Sequence, residues 1–585
     1  MRKKQDFDRA CNIQSNNTLF IDCKTNKDGW FDSKQQRTTN MVRRYRHQHK
    51  QRYSTKDFVV TRKYRGIQIK SNTNLMKQYP ERKRIRIASR RKLKQTKSLA
   101  NINNDYNVNN TYAKFGWSFS VIDIDKDGND DLIVGAPRYS EDVDAQRGRV
   151  YIIYGSDDGF PTSDFDSINV NNYPNITSIL KGPMLAKSRF GSSVAALDIN
   201  LDGHIDIAVG APAFGNNGPL QYNGAVYIYL GGGKNRYFTD PNIEIKCQTK
   251  YCNLGHNLAV ADTNFDGRDD LVLATPFFHQ SLVQGGTVSS LCSNSDIAMI
   301  RTIFFEDLVQ KWKLSSNQEY SWFGHQVRTK KNVLMINQPH CRINSRSRSD
   351  LSPSDIQNVG RLSVFNMGNE LNIQNFTFIG SKEFQSLGYS SDVGFPYGKE
   401  SLILAIGIPG ASVNGSVFTV PFEFPQAGIV ILYNITKNEP PMEVARFEGN
   451  RHYDRFGNLV KFQDVNGDNI DDLIIGSPLF TDDWSGIAPE LIPEDGRVYI
   501  YYGGEHFLKG NVTRQHCNYK HIVYPCPGRQ ANLSVDDRLG YSSSRFGIHV
   551  EVIKTKNQRF LGFTAPYTNM ENDVEQSGTF TLRRL

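Results

Sequence analysis

The sequence of 585 residues has no run of 18 apolar residues, so it offers no apolar helix long enough to cross a bilayer. Its first ten residues, MRKKQDFDRA, lack the apolar stretch of a secretory signal. From these two absences alone the expectation is a soluble chain with no export address. Reaction signatures are missing as well. There is no G-x-S-x-G nucleophile elbow, no H-E-x-x-H zinc helix and no G-x-x-x-x-G-K-[ST] phosphate loop. The twelve histidines are scattered, and the closest pair, His47 and His49, has no acidic neighbours that would suggest a zinc site. Acidic residues are scarce in one place only: residues 1–100 hold 28 Lys/Arg against 7 Asp/Glu, whereas the remainder holds 42 against 53. The net charge of +10 therefore hides a basic segment of +21 and an acidic body of −11.

The basic segment, residues 1–111, is rich in Lys, Arg, Asn, Gln and Ser and has no sustained strand or helix period, so disorder is expected there. Arg82-Lys83-Arg84 and Arg90-Arg91-Lys92 stand without the aromatic platform of a single-strand nucleic-acid site, and nucleic acid is not expected as a partner. Eight cysteines and the Asn-x-Ser/Thr sequons at Asn16, Asn109, Asn175, Asn375, Asn414, Asn434, Asn511 and Asn532 argue for an extracellular setting instead. Cys247/Cys252 and Cys517/Cys526 are spaced as short covalent loops and Cys292/Cys341 could make a third pair; buried thiols remain the alternative, because pairing is not fixed by sequence.

From Phe115 onward the chain repeats. Phe-Gly or Leu-Gly pairs fall at Phe115, Phe190, Leu254, Phe323, Leu387, Phe456 and Phe546, at intervals of 64 to 90 residues. In five units a proline follows 22 residues later, at Pro137, Pro212, Pro276, Pro409 and Pro478; in the other two, Pro339 and Pro566 follow sooner. Each unit reads as strand, loop, strand, turn, and then a third strand opened by glycine, as in Gly148-Arg-Val-Tyr-Ile-Ile-Tyr154 and Gly496-Arg-Val-Tyr-Ile-Tyr-Tyr502. A weaker fourth strand follows, as at Asn175–Leu180. Seven four-stranded units without helical periodicity between them predict an all-β, seven-bladed β-propeller over residues 112–585, because closing the ring buries the faces that one blade leaves exposed. The last unit ends at its third strand, Gly578–Leu582, so its fourth is expected from Val108–Lys114.

Four of the units carry an acidic loop between their first two strands. Carboxylates or amides recur at positions 1, 3, 5 and 9, with Gly or Asn at position 6: Asp123, Asp125, Asp127 and Asp131; Asp198, Asn200, Asp202 and Asp206; Asp262, Asn264, Asp266 and Asp270; Asp464, Asn466, Asp468 and Asp472. A turn needs one or two such side chains and would suffer from the mutual repulsion of the rest, whereas a hard cation uses all of them. Oxygen donors at this density suit calcium, at up to four loops. Position 7 varies without chemical pattern, as Asn129, His204, Arg268 and Ile470, which is expected if its backbone carbonyl is the ligand. The default role of such a site is to staple its hairpin.

These FG…GAP repeats with embedded calcium loops resemble the propellers of integrin α-subunits. A closer similarity, over about residues 112–585, is to the family of phosphatidylinositol-glycan-specific phospholipases D. It is carried by Arg189–Asp198, Tyr251-Cys-Asn-Leu-Gly255, Tyr320-Ser-Trp-Phe-Gly324, Glu494–Tyr499, Pro525-Cys-Pro527 and Ser543-Ser-Arg-Phe-Gly547. The resemblance implies a secreted protein whose full-length relatives cut the inositol–phosphate linkage of glycosylphosphatidylinositol (GPI) anchors at membrane surfaces, using an N-terminal zinc domain. Residues 1–111 match neither the length nor the His and Asp ligands of that domain, so no catalytic residue is carried over, and zinc is expected only in a domain not visible here. The basic segment is expected to stand where the signal and zinc domain of a longer gene product would be. The second expectation is a non-enzymatic, integrin-like propeller that binds extracellular protein or glycan in a calcium-dependent way.

Overall fold

A computed structural model describes residues 103–585 apart from pieces of connecting loops, the longest of which are 345–354 and 481–495. The expectation of disorder at 1–111 falls almost wholly on residues outside that range. The described residues form seven antiparallel sheets of the expected kind. Blade 1 runs Ser118–Ile122, Asp131–Ala136, Arg149–Ile153 and Thr177–Lys181. Blades 2 to 6 repeat it, with first strands Ser193–Leu197, Asn257–Ala261, Val327–Lys330, Ser390–Gly394 and Leu459–Gln463. Blade 7 begins with Val550–Lys554. First strands of consecutive blades are neighbours all the way round, and the strand at 550–554 returns to the one at 118–122. The chain is therefore a closed seven-bladed propeller.

The closing strand differs from the one expected. Asn103–Asn107 pairs antiparallel with Thr579–Arg584 and supplies the fourth strand of blade 7, upstream of Val108–Lys114. Sequence NNDYN carries no strand pattern, and it is held by its partners: Tyr106 is 1% exposed, its hydroxyl donates to the Pro161 carbonyl at 2.7 Å, and the Thr581 hydroxyl donates to Asp105. Tertiary contact overrides weak propensity here.

Second strands of blades 1 to 6 are buried at every residue, as at Asp131–Ala136, Asp206–Ala211 and Asp472–Ser477, and that of blade 7 at every residue but Arg559. Each is covered on both faces by neighbouring blades, so it reads as a continuous apolar run rather than an alternation. The motif residues register one blade on the next. Phe115, Phe190, Phe323 and Phe456 are fully buried between blades, each contributing about 2–3 kcal/mol of apolar burial. The Ser118 hydroxyl donates to the Gly191 carbonyl of blade 2 at 2.9 Å, and Ser193 and Ser390 do the same to Gly255 and Gly457 at 2.8 Å. A Cβ on Gly135 would meet that Gly191 oxygen at 2.2 Å, so the glycine of the GAP turn is required by the glycine of the following FG turn.

Two features were not expected. Short α-helices occur at Phe305–Lys311 and Pro527–Gln530, although no helical period separates the strands. In blades 1, 3 and 6 the third connection sends a short strand back to the outer edge of the preceding blade: Ile168–Asn169 beside Asn103–Asn107, Thr302–Phe304 beside Ile243–Lys246, and Gly510–Asn511 beside Met442–Glu448, all parallel. These strands cover edges that would otherwise present unpaired backbone groups.

The Cys247–Cys252 disulfide forms. Cys526 is disulfide-bonded, and Cys517 lies outside the described residues. The Cys292/Cys341 pair does not form: Cys292 is disulfide-bonded, but Cys341 is a buried thiol whose Sγ lies 3.7 Å from the Arg342 carbonyl oxygen.

Candidate metal centre

Antiparallel pairing sends the four acidic loops to one end of the ring and the FG and GAP turns to the other, since the loops join first strands to second and the FG and GAP turns flank them. Within each loop the backbone turns twice through positive φ. Position 6 does so in all four, at Gly128 (89°), Gly203 (86°), Gly267 (82°) and Asn469 (63°). Position 4 does so too, at Lys126, Leu201, Phe265 and Gly467. The fourth loop thus places its glycine at position 4 and the tolerant Asn at position 6.

These turns fold the position-1 carboxylate back over the loop. In blade 1, Asp123 accepts the N–H groups of Asp127 at 3.1 Å and Gly128 at 2.9 Å; Asp198 and Asp262 do the same in blades 2 and 3. Position 5 accepts the N–H of position 7 in every loop, at 2.8–2.9 Å: Asp127 from Asn129, Asp202 from His204, Asp266 from Arg268 and Asp468 from Ile470. The Asn129 side chain is turned away, donating to Asp157 and accepting the Lys556 N–H, both at 2.9 Å. At position 3, Asn200, Asn264 and Asn466 donate their amide to the position-5 carboxylate.

Position 9 has a second task that spacing alone does not reveal. Asp131, Asp206, Asp270 and Asp472 are fully buried. One oxygen accepts the N–H of position 2 (Ile124, Ile199, Thr263 and Val465) at 2.8–2.9 Å. The other accepts an N–H just beyond the third strand (Gly155, Gly231, Ser293 and Gly503) at 2.7–2.8 Å. Each carboxylate therefore ties loop to sheet. Burial pushes Asp131 up to about 7 and Asp206 and Asp472 up to about 6, and raises Asp270, against the pull of these donors.

Donor chemistry in blade 1 fits a hard cation. Carboxylate oxygens of Asp123, Asp125 and Asp131 lie within 4.8 Å of one another, close enough for one ion to touch all three at calcium–oxygen distances of about 2.3–2.6 Å. Blade 6 is different. Arg559 of blade 7 reaches the position-1 side chain of Asp464 at 3.2 Å and its carbonyl at 3.1 Å, and Asp464 accepts from Gly467 at position 4. Burial raises the Asp464 carboxyl, but the Gly467 N–H and the Arg559 guanidinium outweigh it and hold it below the ordinary range. Arg559 is distant in sequence and has no motif, so only the ring could place it there. A second cross-blade contact, from Lys126 of the first loop to the Gly203 carbonyl of the second, is equally invisible in the spacing.

Fold and loops together make this chain a β-propeller of FG-GAP repeats, and residues 115–153, 190–229 and 254–291 match the family model described as FG-GAP repeat. The chain is a homologue of the phosphatidylinositol-glycan-specific phospholipases D. It is 32% identical to the bovine protein of that name over 489 residues, 82% of this chain and 56% of the relative. It is 34% identical to the human protein over 453 residues, 76% of this chain and 52% of the relative. The chain thus spans about half the length of the curated relatives it matches. Bovine integrin alpha-2 is 39% identical over 120 residues, 20% of this chain. No helix among the described residues is long and apolar enough to cross a membrane.

Proposed function

We propose that this chain is the propeller portion of an extracellular phosphatidylinositol-glycan-specific phospholipase D, which releases GPI-anchored proteins by hydrolysing the inositol–phosphate linkage of their anchors. The observation that carries this is the 34% identity to the human enzyme over 76% of the chain, which runs through blades well beyond the three matched repeats. In this reading a zinc domain of the kind the resemblance implies supplies the reaction, and the propeller presents or positions it. An integrin-like binding role without catalysis has less behind it, since that similarity covers 20% of the chain.

Calcium is proposed at the four loops, held by side chains at positions 1, 3, 5 and 9 and by the carbonyls of Asn129, His204, Arg268 and Ile470. Its contribution would be rigidity of the first hairpin, since every ligand lies within one loop. An oxidising, extracellular home is supported by the Cys247–Cys252 bridge and by the exposure of the sequon residues Asn175, Asn375, Asn414 and Asn532. The test is release of a GPI-anchored reporter from membranes by this chain and by the chain joined to the upstream half of a relative, each with and without a zinc chelator. Release by the joined protein that the chelator abolishes supports the reading. Failure of an active joined protein to need the propeller would overturn it.

A further inference from the structure

The outer strand of a blade presents an open row of backbone donors and acceptors unless something covers it. Returning parallel strands cover blades 7, 2 and 5. The connections that make them, residues 154–176, 292–313 and 502–532, each exceed 20 residues. Those of blades 2 and 5, residues 230–242 and 435–441, would have to reach blades 1 and 4 and are only 13 and 7 residues long. Among the described residues nothing pairs outside the last strands of blades 1, 4 and 6, which are Thr177–Lys181, Phe376–Ile379 and Leu533–Asp536. The outer strand of blade 3, Leu314–Ser315, is too short to template a partner. The blade 4 edge reads FTFI, without charge or proline, and its Ile379 is 43% exposed.

Each of these three strands is preceded within two residues by an exposed sequon asparagine: Asn175, Asn375 or Asn532. The Oδ1 of Asn375 accepts the Asn366 N–H at 2.9 Å and that of Asn532 accepts the Tyr502 N–H at 2.8 Å, each donor lying at the end of the third strand. Their Nδ2 atoms, which a glycan would bond, make no hydrogen bond among the described residues. Closing the turn explains the asparagine but not the hydroxyl two places on. In blade 2, Asn242 accepts the Leu230 N–H at 2.9 Å in the same way, yet that edge is covered, and two places on stands Glu244, opposite Thr302 of the covering strand. At blade 5, also covered, the fold uses the hydroxyls of the sequons at Asn434 and Asn511: Thr436 accepts the Leu402 N–H and Thr513 the Glu448 N–H, both at 2.8 Å. Thr377 and Ser534 are exposed, and their hydroxyls have no such task among the described residues.

We propose that Asn175, Asn375 and Asn532 carry N-linked glycans that guard the open edges of blades 1, 4 and 6 against pairing with a second copy of this chain, the task that returning strands perform on blades 7, 2 and 5. Each Nδ2 attacks the anomeric carbon of a lipid-linked oligosaccharyl pyrophosphate: the N–C bond forms, the sugar–phosphate bond breaks, the pyrophosphate leaves with its electron pair and the amide gives up one proton. A four-residue strand is about 13 Å long, so a bulky glycan planted at its end shields it. This rests on the extracellular home proposed above and not on the release reaction. The test directs the full chain into the secretory pathway of cultured cells, where sequons meet the transferase whatever the native home, and maps the glycans by mass spectrometry. Occupied Asn175, Asn375 and Asn532 are expected. Two variants then remove the glycans of blades 4 and 6 while keeping both asparagines: Thr377→Ala with Ser534→Ala, and Thr377→Lys with Ser534→Lys. By light scattering the alanine variant is expected to self-associate at a concentration at least about tenfold below wild type, whereas the lysine variant stays monomeric, because charge on an edge strand blocks pairing. Ser416→Ala removes the sequon of Asn414 from a strand paired on both sides and leaves association unchanged. Empty sequons overturn the modification. An alanine variant as monomeric as wild type, a lysine variant that associates or fails to be secreted as the alanine one does, or equal association by Ser416→Ala overturns the guard.

Discussion

The dual role of position 9 can be separated from metal binding by comparing two aspartates of one loop. Asp206 accepts the buried N–H groups of Ile199 and Gly231, so Asp206→Ala leaves two backbone donors without partners even when no cation is present. Hydrogen bonds to a charged acceptor are worth about 1.5–3 kcal/mol each, which gives a loss of about 3–6 kcal/mol. For a folded body of ~480 residues the unfolding entropy is about 1 kcal/mol/K, so the melting temperature should fall by about 3–6 °C in chelator. Asp202, by contrast, is exposed and bonds only inside its own loop, to the His204 N–H and the Asn200 amide. Asp202→Ala should melt within about 1 °C of wild type in chelator and differ from it only when calcium is present. Thermal unfolding of the three proteins, with calcium and with chelator, reads both effects. If Asp206→Ala and wild type melt together in chelator, the carboxylate does not tie loop to sheet and the reasoning is wrong.

Chelation of the wild-type protein should lower its melting temperature, since an ion held at a hundred times its dissociation constant adds about 2.7 kcal/mol per site; an unchanged melt would rule out the staple role. Arg559→Gln should tighten calcium at the blade 6 loop by removing the guanidinium 3.2 Å from Asp464, and calorimetry showing no change would place that ion elsewhere. Tyr106→Ala should cost about 3–5 kcal/mol by opening the ring closure, measured by denaturant unfolding. Finally, burial pushes His256 down to about 4, and burial beside His256 and His340 pushes His325 down to about 3. The unfolded chain takes up these protons near pH 6.5 while the folded one does not, so their full stability is present above pH 6.5 and is lost as pH falls toward 4. At pH 5 the loss is about 2 kcal/mol for each, and His325→Asn should remove about half of that slope.

Much of the ring was legible because its strands obey short-range rules. The second strands announce themselves as unbroken apolar runs, the third by β-branched and aromatic content after glycine, and the acidic loops by alternation around a residue that accepts positive φ. What failed did so where distant partners decide the outcome. Asn103–Asn107 is a strand only because Thr579–Arg584 offers it an edge. Cys292 and Cys341 could have made a third pair, but Cys292 is disulfide-bonded and Cys341 is not. The histidines looked scattered, yet His256 and His325 follow the FG pairs of adjacent blades and stand 5.1 Å apart. Their equivalent places in successive repeats were the available signal.

The sequence by itself determined the repeat, the number of blades, the loops that could take a hard cation and the relationship to a known family. Each is a local pattern that a few dozen residues can carry. Tertiary structure decided how the ring closes, that the ninth residue of each loop also clamps the third strand, and that Arg559 reaches into the fourth loop. Those are contacts between blades, and no local pattern encodes them, because the residues involved lie tens to hundreds of positions apart and meet only when the last sheet pairs with the first strand.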